Sequence, residues 1–300
     1  MSDVRPRGAL PSHPPGRPLR LDVAGVELHV LDHGAASEGA AARPLLLLHG
    51  GMGHSRWWDL VAPVLTDVAH PYALDRRGHG DSDWADPDAY GWERDLLDAE
   101  EAMRRLSPLP WSIAGHSQGG LLAVHLATRR HVPIRELILL DVPLHPQSPS
   151  LQRAGQAFRR IPQIRYPSLD AAVNRFQPFP PQHHVPPEVL DYLARHSFKD
   201  AGDDTGELVS KFHWKSYQRD RSREGNPLAD HDQRLRAIDV PVLSVRGGDS
   251  TILSREDQAE LLRMLRDGRG VEIPGTTHSL HAEQPDLVAA AMRDFLVRDA

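Results

Sequence analysis

The chain has 300 residues, enough for one large domain or for a core with an insertion. Its 35 basic and 41 acidic residues give a net charge of -6, which argues against nucleic acid as a main partner. The absence of cysteine excludes a disulfide scaffold, a thiolate nucleophile and a cysteine-ligated metal. Its apolar runs are too short to span a bilayer and no apolar leader is seen, so we expect a cytoplasmic protein without a membrane span.

The first elements predicted along the chain are a tail and a hairpin. Residues 1–18 are rich in proline and arginine and contain no apolar stretch, so we expect a disordered tail. Two segments of alternating polarity, 19–23 and 26–31, flank Ala24-Gly25 and predict a β-hairpin.

Short apolar strands then alternate with helical patterns. Strands are predicted at 44–48, 71–74, 111–114, 137–140, 241–245 and 271–273, and helices at 92–106 and 287–297. Continuous apolar runs of this length are typical of strands buried on both faces of a parallel sheet. The sequence therefore predicts an α/β fold, with a mostly parallel twisted sheet and helices on both faces.

One long interval interrupts this alternation. Residues 144–238 contain no strand of the apolar kind, and they are too many for a loop in a compact domain. Helical patterns occur there at 151–161, 169–176, 188–198 and 207–217. We expect a helical cap inserted into a core formed by 19–143 and 239–300. The alternative is a set of extra helices packed on the core, without a role over the site.

The strongest motif is Gly-His-Ser-Gln-Gly at residues 115–119. It follows the predicted strand 111–114 and precedes a helical pattern at 121–128, which is the setting of a nucleophile elbow. In such an elbow a strained turn presents the serine hydroxyl, here that of Ser117, to the outside. Glycines flank the serine because side chains there would collide with the neighbouring strand or helix.

With this motif, the chain resembles the α/β-hydrolase superfamily, specifically its esterase- and thioesterase-like members with a serine nucleophile. The resemblance extends over residues 19–296. The His-Gly-Gly segment at 49–51 is similar to the oxyanion loop, and residues 75–82 are similar to the turn after the next strand. Residues 273–285 resemble the segment that carries the catalytic histidine. The resemblance implies the fold, but it does not specify a substrate.

Serine is a weak nucleophile and needs a base within hydrogen-bonding reach. Among 18 histidines we favour His278, because it follows the last strand at the sheet edge where the elbow opens. His281, three residues further on, is the competing candidate. Other histidines inside motifs are interpreted as structural residues that hold loops: His49, His79 and His116.

The tetrahedral intermediate of acyl transfer needs two preorganised backbone donors. The residue after the nucleophile supplies one, the N–H of Gln118. The resemblance assigns the other to Gly51, with Met52 as the fallback. Met52 and Trp214 are also predicted to contact the substrate.

The acid of the triad has two candidates. In the commonest family pattern the acid stands three residues after a glycine at a strand end, but counting from Gly247 places Ser250 there, and Asp249 stands one residue early. A second family pattern places the acid after the preceding strand, where this chain has Asp141. We favour Asp141 and keep Asp249 as the alternative.

Serine rather than aspartate at the elbow indicates acyl chemistry. We expect a serine hydrolase that cleaves an ester, thioester or lactone through an acyl-enzyme, without a metal or organic cofactor. The expected partner is a small-molecule acyl substrate or an acyl chain bound to a carrier, and the oligomeric state is left open. The alternatives are a non-hydrolytic enzyme of this fold, a C–C hydrolase, lyase or cyclase, and a ligand-binding receptor without turnover.

Overall fold

The computed structural model describes residues 16–36, 43–146, 162–181, 184–218 and 228–298. Most of the predicted tail lies outside these residues, although its last two positions belong to the first strand, which begins at Arg17. The helical pattern at 151–161 also lies outside the described residues. None of the helices in the described ranges has both the length and the apolar character that crossing a membrane requires.

The described strands and helices follow the predicted alternation. The strands are β1 Arg17–Val23, β2 Val26–Asp32, β3 Pro44–Leu48, β4 His70–Leu74, β5 Trp111–His116, β6 Ile134–Leu140, β7 Arg165–Tyr166, β8 Phe198–Asp200, β9 Leu208–Ser210, β10 Val242–Gly247 and β11 Gly268–Ile273. The helices are α1 Trp92–Leu106, α2 Gln118–Arg129, α3 Leu169–Val173, α4 Pro187–Arg195, α5 Lys215–Gln218, α6 His231–Ala237, α7 Arg255–Met264, α8 Leu280–Glu283 and α9 Pro285–Leu296.

The central sheet has the strand order β1-β2-β4-β3-β5-β6-β10-β11. The first two pairings, β1 with β2 and β2 with β4, are antiparallel, and the others are parallel. The predicted fold class, a mostly parallel sheet flanked by helices, is confirmed. Because parallel strands share one direction, the carboxyl ends of β3, β5, β6, β10 and β11 meet at one edge of the sheet.

Burial on both faces explains the continuous apolar runs. In β3, Leu46 and Leu48 pack into the cluster that includes α1 and α2. The alternate residues, Leu45 and Leu47, pack into a second cluster on the opposite face, which includes Phe295 of α9. Side chains alternate across a strand, so a strand with a helix layer on each face needs apolar residues at every position.

Residues 144–238, here named the insert, connect β6 to β10, which are neighbours in the sheet. The insert contains short helices and also a three-stranded antiparallel sheet in the order β7-β9-β8. The prediction of a helix over 207–217 is wrong, because residues 208–210 form β9 and only 215–218 are helical. Within β9 only Val209 is buried while both neighbours are half-buried, an alternation that fits a strand.

The insert is packed on the core through helix α4. Its residues Val189 and Leu193 are fully buried in a cluster with Trp57 and Ala282 of the core. The Tyr192 hydroxyl on the same helix donates a 2.5 Å hydrogen bond to the buried carboxylate of Asp59. One helix of the insert is therefore fixed to the core by apolar packing and by a buried polar contact.

His231 illustrates how burial affects titratable groups in this fold. It begins α6, which packs on α2, and its buried ring has no hydrogen-bond partner among the residues that the structure describes. Burial disfavours the charged ring and lowers the pKa of His231 to about 4. The folded protein therefore holds this ring neutral at a pH where an unfolded chain protonates it.

We expect the His231→Leu variant to be less sensitive to acid than the wild type. The His231 ring is protonated below about pH 6.5 in the unfolded state, but only below about pH 4 in the native state. The free energy of unfolding therefore decreases as the pH is lowered from 6.5 to 4. The gain in unfolding free energy on substitution should be larger at pH 5 than at pH 8, by about 2 kcal/mol. Urea unfolding at the two pH values measures this difference. His184→Leu, which alters an exposed ring, is the control, and an equal gain at both pH values would contradict the prediction.

Candidate active site

The segment at Ser117 has the geometry of a nucleophile elbow. Ser117 lies between β5 and α2 with φ 52° and ψ −118°, a backbone conformation that L-residues rarely adopt. A Cβ atom on Gly115 would lie 2.4 Å from the carbonyl oxygen of Gly119, and one on Gly119 would lie 2.3 Å from that of Leu48. The flanking glycines thus let α2 approach β3 and β5 closely, as the motif predicts.

A cavity of about 490 Å³ opens at the carboxyl edge of the sheet beside this turn. Ser117 and His278 both line it. Other predicted site residues are also on its wall: Gly51, Met52, Gln118 and Trp214. The cavity is also lined by other aromatic residues, namely Trp57, Tyr166, Phe176, Phe179, Phe198, Phe212 and Tyr217, whereas Trp58 is fully buried in the core.

His278 is 5% exposed and is anchored by a carboxylate. Its Nδ1 donates a 2.7 Å hydrogen bond to Oδ2 of Asp141, which is fully buried directly after β6. Asp249, the alternative acid, is exposed, and its backbone N–H is bonded to the carbonyl oxygen of Thr276. The structure therefore brings Asp141, and not Asp249, to the His278 ring.

Two further donors hold the Asp141 carboxylate. The Ser250 hydroxyl lies 2.5 Å from Oδ2, and the N–H of Gly247 lies 3.2 Å from Oδ1. With the His278 ring, three donors surround one fully buried carboxylate. A buried carboxylate needs such donors, because its negative charge has lost the solvation that water provides.

The loop that carries His278 is held by Glu283. The Glu283 carboxylate accepts a 2.5 Å hydrogen bond from the backbone N–H of Thr277 and a second bond from the Thr277 hydroxyl. His116 adds another contact, since its Nε2 lies 2.9 Å from the carbonyl oxygen of His278. These contacts fix the backbone on both sides of the ring.

His281, the competing candidate for the base, is placed differently. Its ring is fully buried against Trp57, Trp58 and His116, and within the described part of the chain neither ring nitrogen has a hydrogen-bond partner. Burial lowers the pKa of His281 to about 3, so the ring is neutral. It does not line the cavity.

The candidate oxyanion residues lie close together. A Cβ on Gly51 would be 3.4 Å from the side-chain oxygen of Gln118. Arg76 donates to that oxygen at 3.0 Å and to the carbonyl oxygen of Gly50 at 3.4 Å. One buried guanidinium therefore connects the loop at 49–51 to the residue after Ser117.

The fallback donor, Met52, is already bonded. Its N–H donates a 3.0 Å hydrogen bond to the hydroxyl of Tyr217, which belongs to the insert. Sequence reasoning predicted neither this hydrogen bond of Tyr217 nor a role for Arg76. The arginine was detectable as part of the turn at 75–82, whereas the insert has no motif from which the contact of Tyr217 could be inferred.

A second serine–histidine pair lies on the cavity wall, formed by His54 and Ser197 at 3.0 Å. The Ser197 hydroxyl donates its proton to the carbonyl oxygen of Leu193 at 2.7 Å, so it accepts from the His54 ring. Burial lowers the pKa of His54 to about 4. This pair connects the core to the insert and is not arranged to activate a nucleophile.

One group of side chains in the described ranges has the spacing of a metal site: His29, Asp75 and Asp81. Their potential ligand atoms already have protein partners. The two oxygens of Asp75 accept from the Ser55 and Asp81 N–H groups and contact the His29 ring, and the Asp81 carboxylate pairs with Lys211. The geometry is that of a hydrogen-bonded loop anchor.

The fold and the elbow define the class of protein, and the chain belongs to the alpha/beta hydrolase family, whose model matches residues 45–291. An esterase of Mycobacterium tuberculosis is 28% identical over 265 residues, covering 86% of this chain and 84% of the esterase. A pimeloyl-(acyl-carrier protein) methyl ester esterase of Neisseria meningitidis is 27% identical over 277 residues, 85% of this chain and 94% of that enzyme. Among solved structures, the thioesterase domain from the curacin biosynthetic pathway superposes with a TM-score of 0.73 at 22% identity, covering 94% of this chain and 98% of the domain.

The elbow geometry predicts different outcomes for two glycine substitutions. Gly119→Ala forces a methyl group into backbone atoms and should lower the free energy of unfolding by about 3 kcal/mol or more. Gly51→Ala meets neighbours at 3.4 Å and beyond, so its cost should stay within about 1 kcal/mol. Thermal and denaturant unfolding measure both. Equal stability of the two variants would refute the close approach of α2.

Proposed function

We propose that the protein is a serine hydrolase that cleaves an ester-type bond through an acyl-enzyme on Ser117. The observation that carries the proposal is the arrangement of Ser117 and His278 on one cavity wall, with His278 anchored on Asp141 at 2.7 Å. Membership of the alpha/beta hydrolase family and the esterase names of the relatives support it.

The proposed first step is proton transfer from Ser117 to His278. The Nδ1–H of His278 is donated to Asp141, which leaves Nε2 as the basic nitrogen. As the serine oxygen attacks the substrate carbonyl, Nε2 takes the hydroxyl proton. Asp141 orients the ring and stabilises the imidazolium that forms.

The tetrahedral intermediate is stabilised by the N–H groups of Gly51 and Gln118. Arg76 contacts the carbonyl oxygen of Gly50, the residue before Gly51, and the side chain of Gln118, which supports preorganisation of the two donors. We assign Gly51 rather than Met52 because the Met52 N–H is occupied by Tyr217. His278 then protonates the leaving group, and a water molecule repeats the sequence to release the acid.

The proposed substrate is an acyl compound with an apolar portion. The cavity wall is mainly apolar and aromatic, and its described lining contains no carboxylate. We infer that the insert serves as a cap that selects the substrate, because it contributes Phe212, Trp214 and Tyr217 to that wall. The Neisseria relative acts by name on a carrier-bound acyl ester, which supports the inclusion of carrier-bound substrates among the candidates.

Ser117→Ala tests the nucleophile. We expect this variant to lose hydrolysis of p-nitrophenyl esters by several orders of magnitude and to unfold at the same temperature as the wild type. The panel should contain esters of graded chain length, thioesters and lactones. Near-normal turnover by the variant would overturn the assignment of Ser117.

A covalent probe and labelled water distinguish the rival functions. A fluorophosphonate should label the wild type at Ser117 and leave Ser117→Ala unlabelled. A receptor without turnover would convert no member of the panel. A lyase or cyclase would release a product without ¹⁸O from labelled water, whereas hydrolysis incorporates it.

A pair of isosteric substitutions tests the acid. Asp141→Asn keeps the shape of the side chain but removes the charge that stabilises the imidazolium, so turnover should fall by about a thousandfold or more. Asp249→Asn changes an exposed carboxylate and should leave turnover within about twofold. Steady-state kinetics on one p-nitrophenyl ester provide the comparison. A larger loss in Asp249→Asn would show that the acid is assigned to the wrong strand end.

A further inference from the structure

Ser250 forms a hydrogen bond with Asp141 that its position in the sequence does not predict. It stands three residues after Gly247, where the commonest pattern of the family places the acid, yet it is a serine. Strands β6 and β10 pair in parallel with Leu140 opposite Val245, so the residues that follow them meet at the sheet edge. There the Ser250 hydroxyl lies 2.5 Å from Oδ2 of Asp141, the same oxygen that accepts from His278.

The direction of this hydrogen bond follows from the other contacts of the hydroxyl. The Ser250 oxygen accepts from the N–H of Ile252 at 3.0 Å and from that of Leu253 at 3.4 Å. An ionised carboxylate can only accept, so the Ser250 proton is donated to Asp141. The hydroxyl thus has all of its bonds satisfied, and its single proton is directed at one carboxylate oxygen.

We propose that Ser250 is a positioning residue for the triad, which holds the Asp141 carboxylate in place for His278. Ser250 acts through Asp141 and does not touch the substrate. This inference rests on the proposed function, because it concerns the acid of that same triad.

The carboxylate needs this support. Asp141 has φ 47°, so its side chain leaves a backbone turn that L-residues rarely adopt. Its other oxygen is held by the Gly247 N–H at 3.2 Å, which is a longer contact than that of Ser250. Without the serine proton, Oδ2 loses the donor that fixes it opposite His278, and the ring loses its fixed orientation.

Threonine and valine at position 250 separate the hydroxyl from the shape of the side chain. Ser250→Thr keeps the donor, whereas Ser250→Val has nearly the same shape without it. We expect the valine variant to be labelled at Ser117 by a fluorophosphonate about ten- to a hundredfold more slowly than the threonine variant. The loss on p-nitrophenyl butyrate should appear in kcat more than in KM. Equal rates for two folded variants would overturn the positioning role.

The outcomes are distinguishable from failure of the proposed function. If wild-type Ser117 is not labelled, the proposed hydrolase is wrong and position 250 is irrelevant. If the wild type is labelled but folded Ser250→Val is labelled as fast as Ser250→Thr, the positioning role is refuted. Thermal unfolding establishes whether both variants are folded. Ser250→Ala, which also removes the hydroxyl, replaces the valine variant if that variant does not fold.

Discussion

The close approach of three backbone segments at Ser117 is the constraint on which the site depends. Helix α2 begins directly after the serine, and the missing side chains at Gly115 and Gly119 allow it to lie against β3 and β5. A residue in such a strained conformation costs about 1 to 3 kcal/mol. Burial of apolar residues on α2, among them Leu122 and Val124, offsets that cost. The strain therefore persists because the packing of a whole helix enforces it.

A second strained residue occupies the next strand end. Asp141 follows β6 as Ser117 follows β5, and both have positive φ. Each side chain belongs to the site, although Ser117 faces the cavity while Asp141 is fully buried behind it. His278 lies between these two environments, with one ring nitrogen committed to the buried carboxylate. The parallel sheet places the three groups together because its strands end at the same edge.

How well each element could be predicted from the sequence depended on the physical origin of its residue pattern. The continuous apolar runs predicted β3 and β5 correctly, because burial on both faces imposes that pattern on every residue. The pattern at 207–217 led to a wrong prediction of a helix. A short half-buried strand such as β9 has too few residues to distinguish the two-residue hydrophobic period of a strand from that of a helix. The sequence left Asp141 and Asp249 both open because the register of β6 against β10 is a tertiary property. The contacts of Arg76 and Tyr217 also depend on tertiary structure, so the sequence did not predict them.

The hydrogen bond from the Met52 N–H to the Tyr217 hydroxyl links the loop beside the cavity to the insert. His213, four residues before Tyr217, donates its N–H to the carbonyl oxygen of Gly78, so the same stretch of the insert is also fastened to a core loop. A smaller side chain at position 217 would enlarge the cavity and would also leave the Met52 N–H without its acceptor, one residue after the proposed oxyanion donor Gly51. Widening the cavity at Tyr217 therefore also alters the loop that carries Gly51, whereas a change at Trp214 leaves the Met52 hydrogen bond in place.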